Sequence, residues 1–192
     1  YGLRLNQIIE NVKDFPRITT HLMIIQKVAK KYGKFVITRT RECDAEIVKY
    51  ANEQKSFAIL AEDSDYLIFD GDWRYFSISD LKIVDLTTKE YDKAALWSEL
   101  GLTNSYQMSL LATINGNDYT SFDDLYKFNT KLINRNSSRF IKNKPEDRFP
   151  AIAKYVREDL RNLTEKRVIE TIGHDWRISQ EKVVNSINMY RT

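Results

Sequence analysis

Five carboxylates stand where they could do chemistry: Glu42 and Asp44 in Glu42-Cys43-Asp44-Ala45-Glu46, Asp63 and Asp65 in Glu62-Asp63-Ser64-Asp65, and Asp118 in Asn115-Gly116-Asn117-Asp118-Tyr119. The first pair follows the β-branched run Phe35-Val36-Ile37-Thr38. The second follows the apolar run Phe57-Ala58-Ile59-Leu60-Ala61. In an open parallel α/β sheet, ligands bind beyond the carboxyl ends of the strands. Two neighbouring parallel strands would deliver four carboxylates to one rim. Like charges so gathered need a cation or a raised proton affinity. An all-oxygen set with no His near it suits hard ions such as Mg²⁺ or Mn²⁺. Two ions about 4 Å apart could hold the attacking water and the leaving oxygen of a phosphodiester. The competing reading is local: acids at helix starts cap free N–H groups and complement the dipole. Glu46, one turn after Glu42, is expected to be a solvated partner of Lys49.

The elements that must position these acids read as follows. Residues 3–12 and 17–31 carry helical spacing, and Asp14-Phe15-Pro16 breaks between them. Phe35–Thr38 is a short strand. Glu42–Gln54 is a helix with Ile47, Tyr50 and Ala51 inward. The run Phe57–Ala61 is continuously apolar, as a strand covered on both faces would be. Tyr66–Phe69 is a helical turn or a further strand; Tyr75–Ile78 and Leu81–Val84 are strand-like. Asp92–Leu100 is a helix stopped by Gly101, and Tyr106–Ile114 one closed by Asn115-Gly116. Beyond Tyr119 no strand recurs: residues 121–134, 149–163, 164–172 and 179–190 read as helices, separated by 136–148 and Gly173. The chain therefore divides near residue 120, into an α/β part (1–120) and an α-helical part (121–192).

Composition excludes several classes. The 192 residues are 42% hydrophobic and 30% charged, as in ordinary globular proteins. No apolar run reaches the ~18 residues of a membrane span. One cysteine and two histidines rule out an intrachain disulfide and argue against zinc. An intracellular setting, nuclear or cytoplasmic, is expected. A net charge of +3 does not by itself imply nucleic acid.

The three acidic motifs, Glu42-x-Asp44-Ala-Glu-Ile, Ala61-Glu-Asp63-Ser-Asp65-Tyr-Leu-Ile-Phe69 and Ile114-Asn-Gly-Asn-Asp118-Tyr119, taken in order, resemble the internal domain of the XPG/flap-endonuclease superfamily. The Asp-Ser-Asp-Tyr-Leu-Ile-Phe and Gly-Asn-Asp-Tyr forms are most similar to its Asteroid branch, whose relatives include constitutive coactivators of a nuclear receptor and post-transcriptional regulators. The resemblance covers residues 35–120. It implies a PIN-like α/β fold, a parallel sheet with flanking helices, followed by the helical region. It also implies a structure-specific endonuclease with two Mg²⁺ or Mn²⁺ ions, Glu42 and Asp44 on the first, Asp63 and Asp65 on the second, and Asp118 the last acidic member. Three departures qualify this. Asp44 stands where these nucleases usually have Glu. Their earlier essential acids have no counterpart here, so the N-terminal part of the domain is expected to be missing or to belong to a preceding segment. No glycine occurs between Thr120 and Asn134, which argues against the glycine-rich helix–turn–helix that grips duplex DNA. The alternative to an enzyme is an inactive PIN-like scaffold for RNA or protein, of post-transcriptional regulator or coactivator type.

A second expectation concerns nucleic acid. Lys127, Lys131, Arg135 and Arg139 recur every four residues, and residues 125–145 contain six basic residues and no acidic one. A continuous helix would line them along phosphates of DNA or RNA; the plainer reading is a solvated helix face. Tyr126, Phe128 and Phe140 could stack on bases or belong to the core. The helical region could equally take a protein partner. Cys43 is expected to pack inward as an inert thiol, His21 and His174 not to be ligands, and Trp97 to be core.

Overall fold

The computed structural model describes Ile24, residues 27–34 and Glu42–Arg191. The expected first helix and the strand Phe35–Thr38 lie outside the described residues. Contacts divide the chain between Thr40 and Arg41. Of the first unit, residues 27–32 are helical, and the Gly33 N–H closes on Ala29 O at 2.9 Å.

The second unit begins with α1 (Cys43–Glu53), which buries Val48 and Ala51. Its inner line is 44–48–51, one residue away from the expected Ile47–Tyr50–Ala51 line, and Ile47 and Tyr50 are exposed. The rotation matters because it places Asp44 on the buried side. It also turns Cys43 outward, so this thiol is exposed rather than packed inward. Partial burial and the charges of Asp44 and Glu42 push its pKa up, as expected for an inert thiol.

Strand β1 (Ala58–Ala61) runs parallel to β2 (Arg74–Ser77), with Ile59 opposite Tyr75. The antiparallel β3 (Glu90–Tyr91) pairs with β2 on its other edge, so among the described residues the sheet has three strands in the order β1-β2-β3. Only Ile59 of β1 is buried, while Leu60 is exposed, so among the described residues this strand is covered on one face, not two. Ser64–Leu67 is a turn of 3-10 helix. Leu81–Val84 is not a strand. Its one pairing is a Lys82–Thr87 bridge, and Asp85 Oδ1 accepts from both the N–H and the hydroxyl of Thr87, an Asx-type turn.

Seven helices make up the rest of the second unit with α1: α2 (Lys93–Leu100), α3 (Ser105–Asn115), α4 (Phe122–Asn134), α5 (Pro145–Glu158), α6 (Glu165–Trp176) and α7 (Gln180–Met189) follow in order. Five of the six are opened by a side chain accepting a backbone N–H: Asp92, Asn104, Ser121, Thr164 and Ser179. Each such cap contributes about 1 kcal/mol. α5 instead has Pro145 at its start, where the missing N–H costs nothing. Gly101 ends α2 in the left-handed conformation. Gly173 does not separate helices, because it lies inside α6. A Cβ there would sit 3.2 Å from Gln180 Cγ and 3.3 Å from Ile178 O, so the glycine admits the start of α7.

The central element is α3, in which Met108 to Ile114 are all buried. One cluster around Leu111, Ile114, Leu125, Ile152 and Ile187 joins α3 to the later helices. A second gathers Val48, Ile59, Tyr66, Phe69, Trp73 and Tyr75 with Ala112, Met189 and Tyr190. Packing therefore runs across residue 120: α3 and the end of α7 contribute to the sheet-side cluster. Burying side chains such as Leu111 and Ile187 contributes roughly 1.5–3 kcal/mol each. Trp97 is partly buried and donates to Leu67 O at 2.9 Å. Trp73 and Trp176 are buried.

Candidate acidic site

Asp63 caps the 3-10 turn that follows β1. Its Oδ1 accepts the N–H of Asp65 at 2.9 Å, and its carbonyl accepts the Tyr75 hydroxyl at 2.7 Å. The turn aims Tyr66 down into the sheet-side core, where it is 1% exposed, and leaves Asp65 half-buried at the surface. The Tyr66 hydroxyl donates to Asp44 Oδ1 at 2.6 Å. Burial first, and then the Asp44 carboxylate, push the phenol's pKa well above its usual range.

Asp65 meets the chain's end. The Tyr190 hydroxyl, 125 residues away, donates to Asp65 Oδ2 at 3.0 Å. Asn117 stands behind it: its Nδ2 donates to Ser186 Oγ at 2.7 Å and lies 3.5 Å from the Tyr190 hydroxyl. Ser186 in turn donates to Thr113 Oγ1 at 2.7 Å. Asn117 Oδ1 accepts from the N–H groups of Tyr119 and Thr120 and from the Thr120 hydroxyl. This turn needs Gly116, whose φ is +106° and whose Cβ, if present, would lie 3.0–3.1 Å from backbone atoms of Phe122 and Thr120. The result fixes Asp118, exposed, beside the site.

The carboxylates feel one another. Burial raises the Asp65 pKa to about 6; the Tyr190 hydrogen bond opposes the rise, and the charges of Asp63, Asp118 and Asp44 add to it. The structure thus brings Asp44, Asp63, Asp65 and Asp118 into one electrostatic neighbourhood, from α1, the β1 turn and the α3–α4 turn. Glu42 is not among the charges that move Asp65; it is exposed at the start of α1 with no side-chain cap bond. Glu62 is tied elsewhere, accepting from Ser79 Oγ at 2.6 Å.

Among the described residues, no group of three or more His, Cys, Asp or Glu side chains is placed to hold a metal ion. One oxygen of Asp44 and one of Asp65 already accept phenol hydroxyls. Tyr66, Tyr190, Asn117 and Ser186 carry this arrangement, and sequence reasoning missed them. Tyr66 lay within the acidic motif. Nothing local marked Tyr190, whose role depends on how α7 packs.

The expected basic stripe is interrupted. Lys127 and Lys131 lie on α4, but the helix ends at Asn134. Arg135 pairs with Asp159 at 2.7 Å, and Arg139 lies in the following segment. Phe128 belongs to the core, packed against Tyr155 and Trp176, whereas Tyr126 and Phe140 are exposed. Among the described residues no helix is long and apolar enough to cross a membrane.

No protein-family model matches the chain. It is similar to a mouse (Mus musculus) protein named constitutive coactivator of peroxisome proliferator-activated receptor gamma, with 34% identity over 122 residues, 63% of this chain and 15% of that protein. The Bos taurus protein of the same name is 36% identical over 102 residues, 53% of this chain and 14% of its own length. The Homo sapiens protein is 37% identical over 89 residues, covering 46% and 10%. The chain thus spans no more than 15% of the length of these curated relatives.

Proposed function

We propose that this chain is part of a PIN-like domain of the XPG/flap-endonuclease type, kept as a non-catalytic scaffold of the coactivator kind. The supporting observation is that tyrosine hydroxyls occupy the acidic rim: Tyr66 on Asp44 at 2.6 Å and Tyr190 on Asp65 at 3.0 Å. In a two-metal site those oxygens would face cations. Here the charge is held by phenols, by the Asp63 turn and by a raised proton affinity at Asp65, and the rim ties α1, the β1 turn and α7 into one frame. The similarity to proteins named as coactivators favours the same reading. On this reading the ligand is a protein or RNA partner, met in the nucleus where a receptor coactivator would work. The full-length protein, given Mg²⁺ or Mn²⁺, is expected to leave flap, single-stranded and structured DNA and RNA uncut. Cleavage that disappears in the Asp63→Asn, Asp65→Asn double variant would overturn the proposal.

A second reading has one observation in its favour. Asp44, Asp63 and Asp118 all act on Asp65, and such convergence is what a metal-dependent endonuclease needs. Glu42, Asp44, Asp63, Asp65 and Asp118 would then hold two Mg²⁺ or Mn²⁺ ions, which would supply an activated water. For that, Asp44 and Asp65 must exchange their tyrosine partners for metal, and Glu42 must turn toward the rim.

A further inference from the structure

Arg148 is a half-buried cation without an anion. It lies in the first turn of α5. Its Nε donates to Asn115 Oδ1 at 2.7 Å and its Nη1 to Asn143 Oδ1 at 3.1 Å. Its Cζ lies 4.6 Å from the centre of the Phe122 ring. Two neutral oxygens and an aromatic face thus fix the guanidinium plane, while Nη2 bonds to no described residue. The other described arginines held by side chains all meet carboxylates: Arg74 meets Glu90, Arg135 Asp159, Arg167 Glu170 and Arg191 Glu165. Burial lowers the Arg148 pKa, and no neighbouring charge offsets this. A cation taken from water is costly until an anion meets it.

An aromatic pair stands beside this guanidinium. Phe122 and Tyr126, one turn apart on α4, meet edge to face with their centres 5.7 Å apart. They are 37% and 45% exposed. Asn143, which holds Nη1, also ties Tyr126 down, since its Nδ2 donates to Tyr126 O at 3.3 Å. Acids stand in both adjoining first turns, Asp123 and Asp124 on α4, Glu146 and Asp147 on α5. None of them forms an ion pair with Arg148. Their charge opposes a run of phosphates across this surface, so it suits a single one.

We propose that Arg148, Phe122 and Tyr126 bind a nucleoside phosphate, free or at the end of a single strand. The phosphate lies on the open Nη edge of Arg148 and the base stacks on Tyr126. A guanidinium fork matches phosphate geometry, and an exposed ring takes the π-face of any base. A carboxylate alone would meet the cation and leave the ring bare. The site shares no residue with the acidic rim, so its failure leaves the scaffold reading standing, and the reverse.

Isothermal titration calorimetry of the full chain tests this. The probes are adenosine monophosphate, adenosine, inorganic phosphate, an Asp-Tyr dipeptide and an oligoadenylate of about eight nucleotides with a terminal phosphate. Adenosine monophosphate is expected to bind saturably, and adenosine and inorganic phosphate about tenfold more weakly. Arg148→Lys keeps the charge but loses the fork, and Tyr126→Ala removes a ring at the surface. Each should weaken adenosine monophosphate about tenfold, with circular dichroism unchanged for Tyr126→Ala. An oligoadenylate that binds about tenfold tighter than the monophosphate supports the proposal with the strand end as the source; one that binds equally or more weakly supports it with the free nucleotide. The proposal is overturned if neither binds saturably, if adenosine or inorganic phosphate matches the monophosphate, if the dipeptide binds tighter, or if Tyr126→Ala leaves binding unchanged.

Discussion

Replacing Asp65 with Asn should stabilise this protein at neutral pH and leave it unchanged in acid. The carboxyl sits half-buried among Asp63, Asp118 and Asp44, and these surroundings raise its pKa to about 6. In an unfolded chain it would titrate near 3.9. Between those values the unfolded chain has released the proton while the folded one keeps it. The folded state therefore binds more protons, and its stability falls as pH rises from about 4 to about 6, then levels off. Taken at face value the shift is worth roughly 3 kcal/mol. The side chain is partly open to water, and screening reduces this to about 1–2 kcal/mol. Asn keeps an oxygen that can accept the Tyr190 hydroxyl, so the substitution removes the charge and spares the hydrogen bond. The assay is urea unfolding of both proteins from pH 4 to pH 8, with a chelator present so that no cation neutralises the rim. The difference in unfolding free energy should be near zero at the acid end and grow to about 1–2 kcal/mol in favour of the Asn variant above pH 6. A variant less stable than the parent at neutral pH, by an amount constant across the series, would refute the reasoning, since it would mean that the ionised carboxylate is satisfied in the fold.

Tyr190→Phe removes the hydroxyl that donates to Asp65 and lies 3.5 Å from Asn117 Nδ2; a loss of about 1–2 kcal/mol is expected in the same unfolding assay, larger above pH 6 than below it. Asn117→Ala deletes the acceptor of three groups and the donor to Ser186, and should cost about 2–3 kcal/mol, visible as a lowered urea midpoint at unchanged slope. Gly116→Ala forces a Cβ to 3.0 Å from Phe122 N at φ +106°, and should cost about 1–3 kcal/mol with loss of hydrogen-exchange protection at Thr120.

Much of the frame was legible in the residues because its signals are local. The caps Asp92, Asn104, Ser121, Thr164 and Ser179 and the stop at Gly101 mark helix ends by their own hydrogen bonds or backbone conformation. The apolar runs around Ile59 and Tyr75 gave two strands, and they pair in parallel. What escaped depends on contacts distant in sequence. Ala51 fits two helical stripes, 47–50–51 and 44–48–51, and tertiary packing selects the second. Gly173 has the composition of a helix breaker but sits inside α6, because Gln180 and Ile178 approach it closely. The apolar character of Leu81–Val84 suggested a strand, yet the Asp85 turn leaves Ile83 and Val84 exposed. At the rim, the resemblance named Asp44, Asp63, Asp65 and Asp118 together, and the charges of the other three act on Asp65, whereas the hydroxyl from Tyr190 depends on the packing of α7 against α3.

Calorimetric titration of the full-length protein with Mn²⁺ tests most directly whether tyrosines or cations neutralise the rim. The tyrosine-held rim predicts no two-site binding in the parent protein, and no change in its heats on Asp63→Asn together with Asp65→Asn. Two Mn²⁺ ions bound per chain, both lost in that double variant, would contradict it.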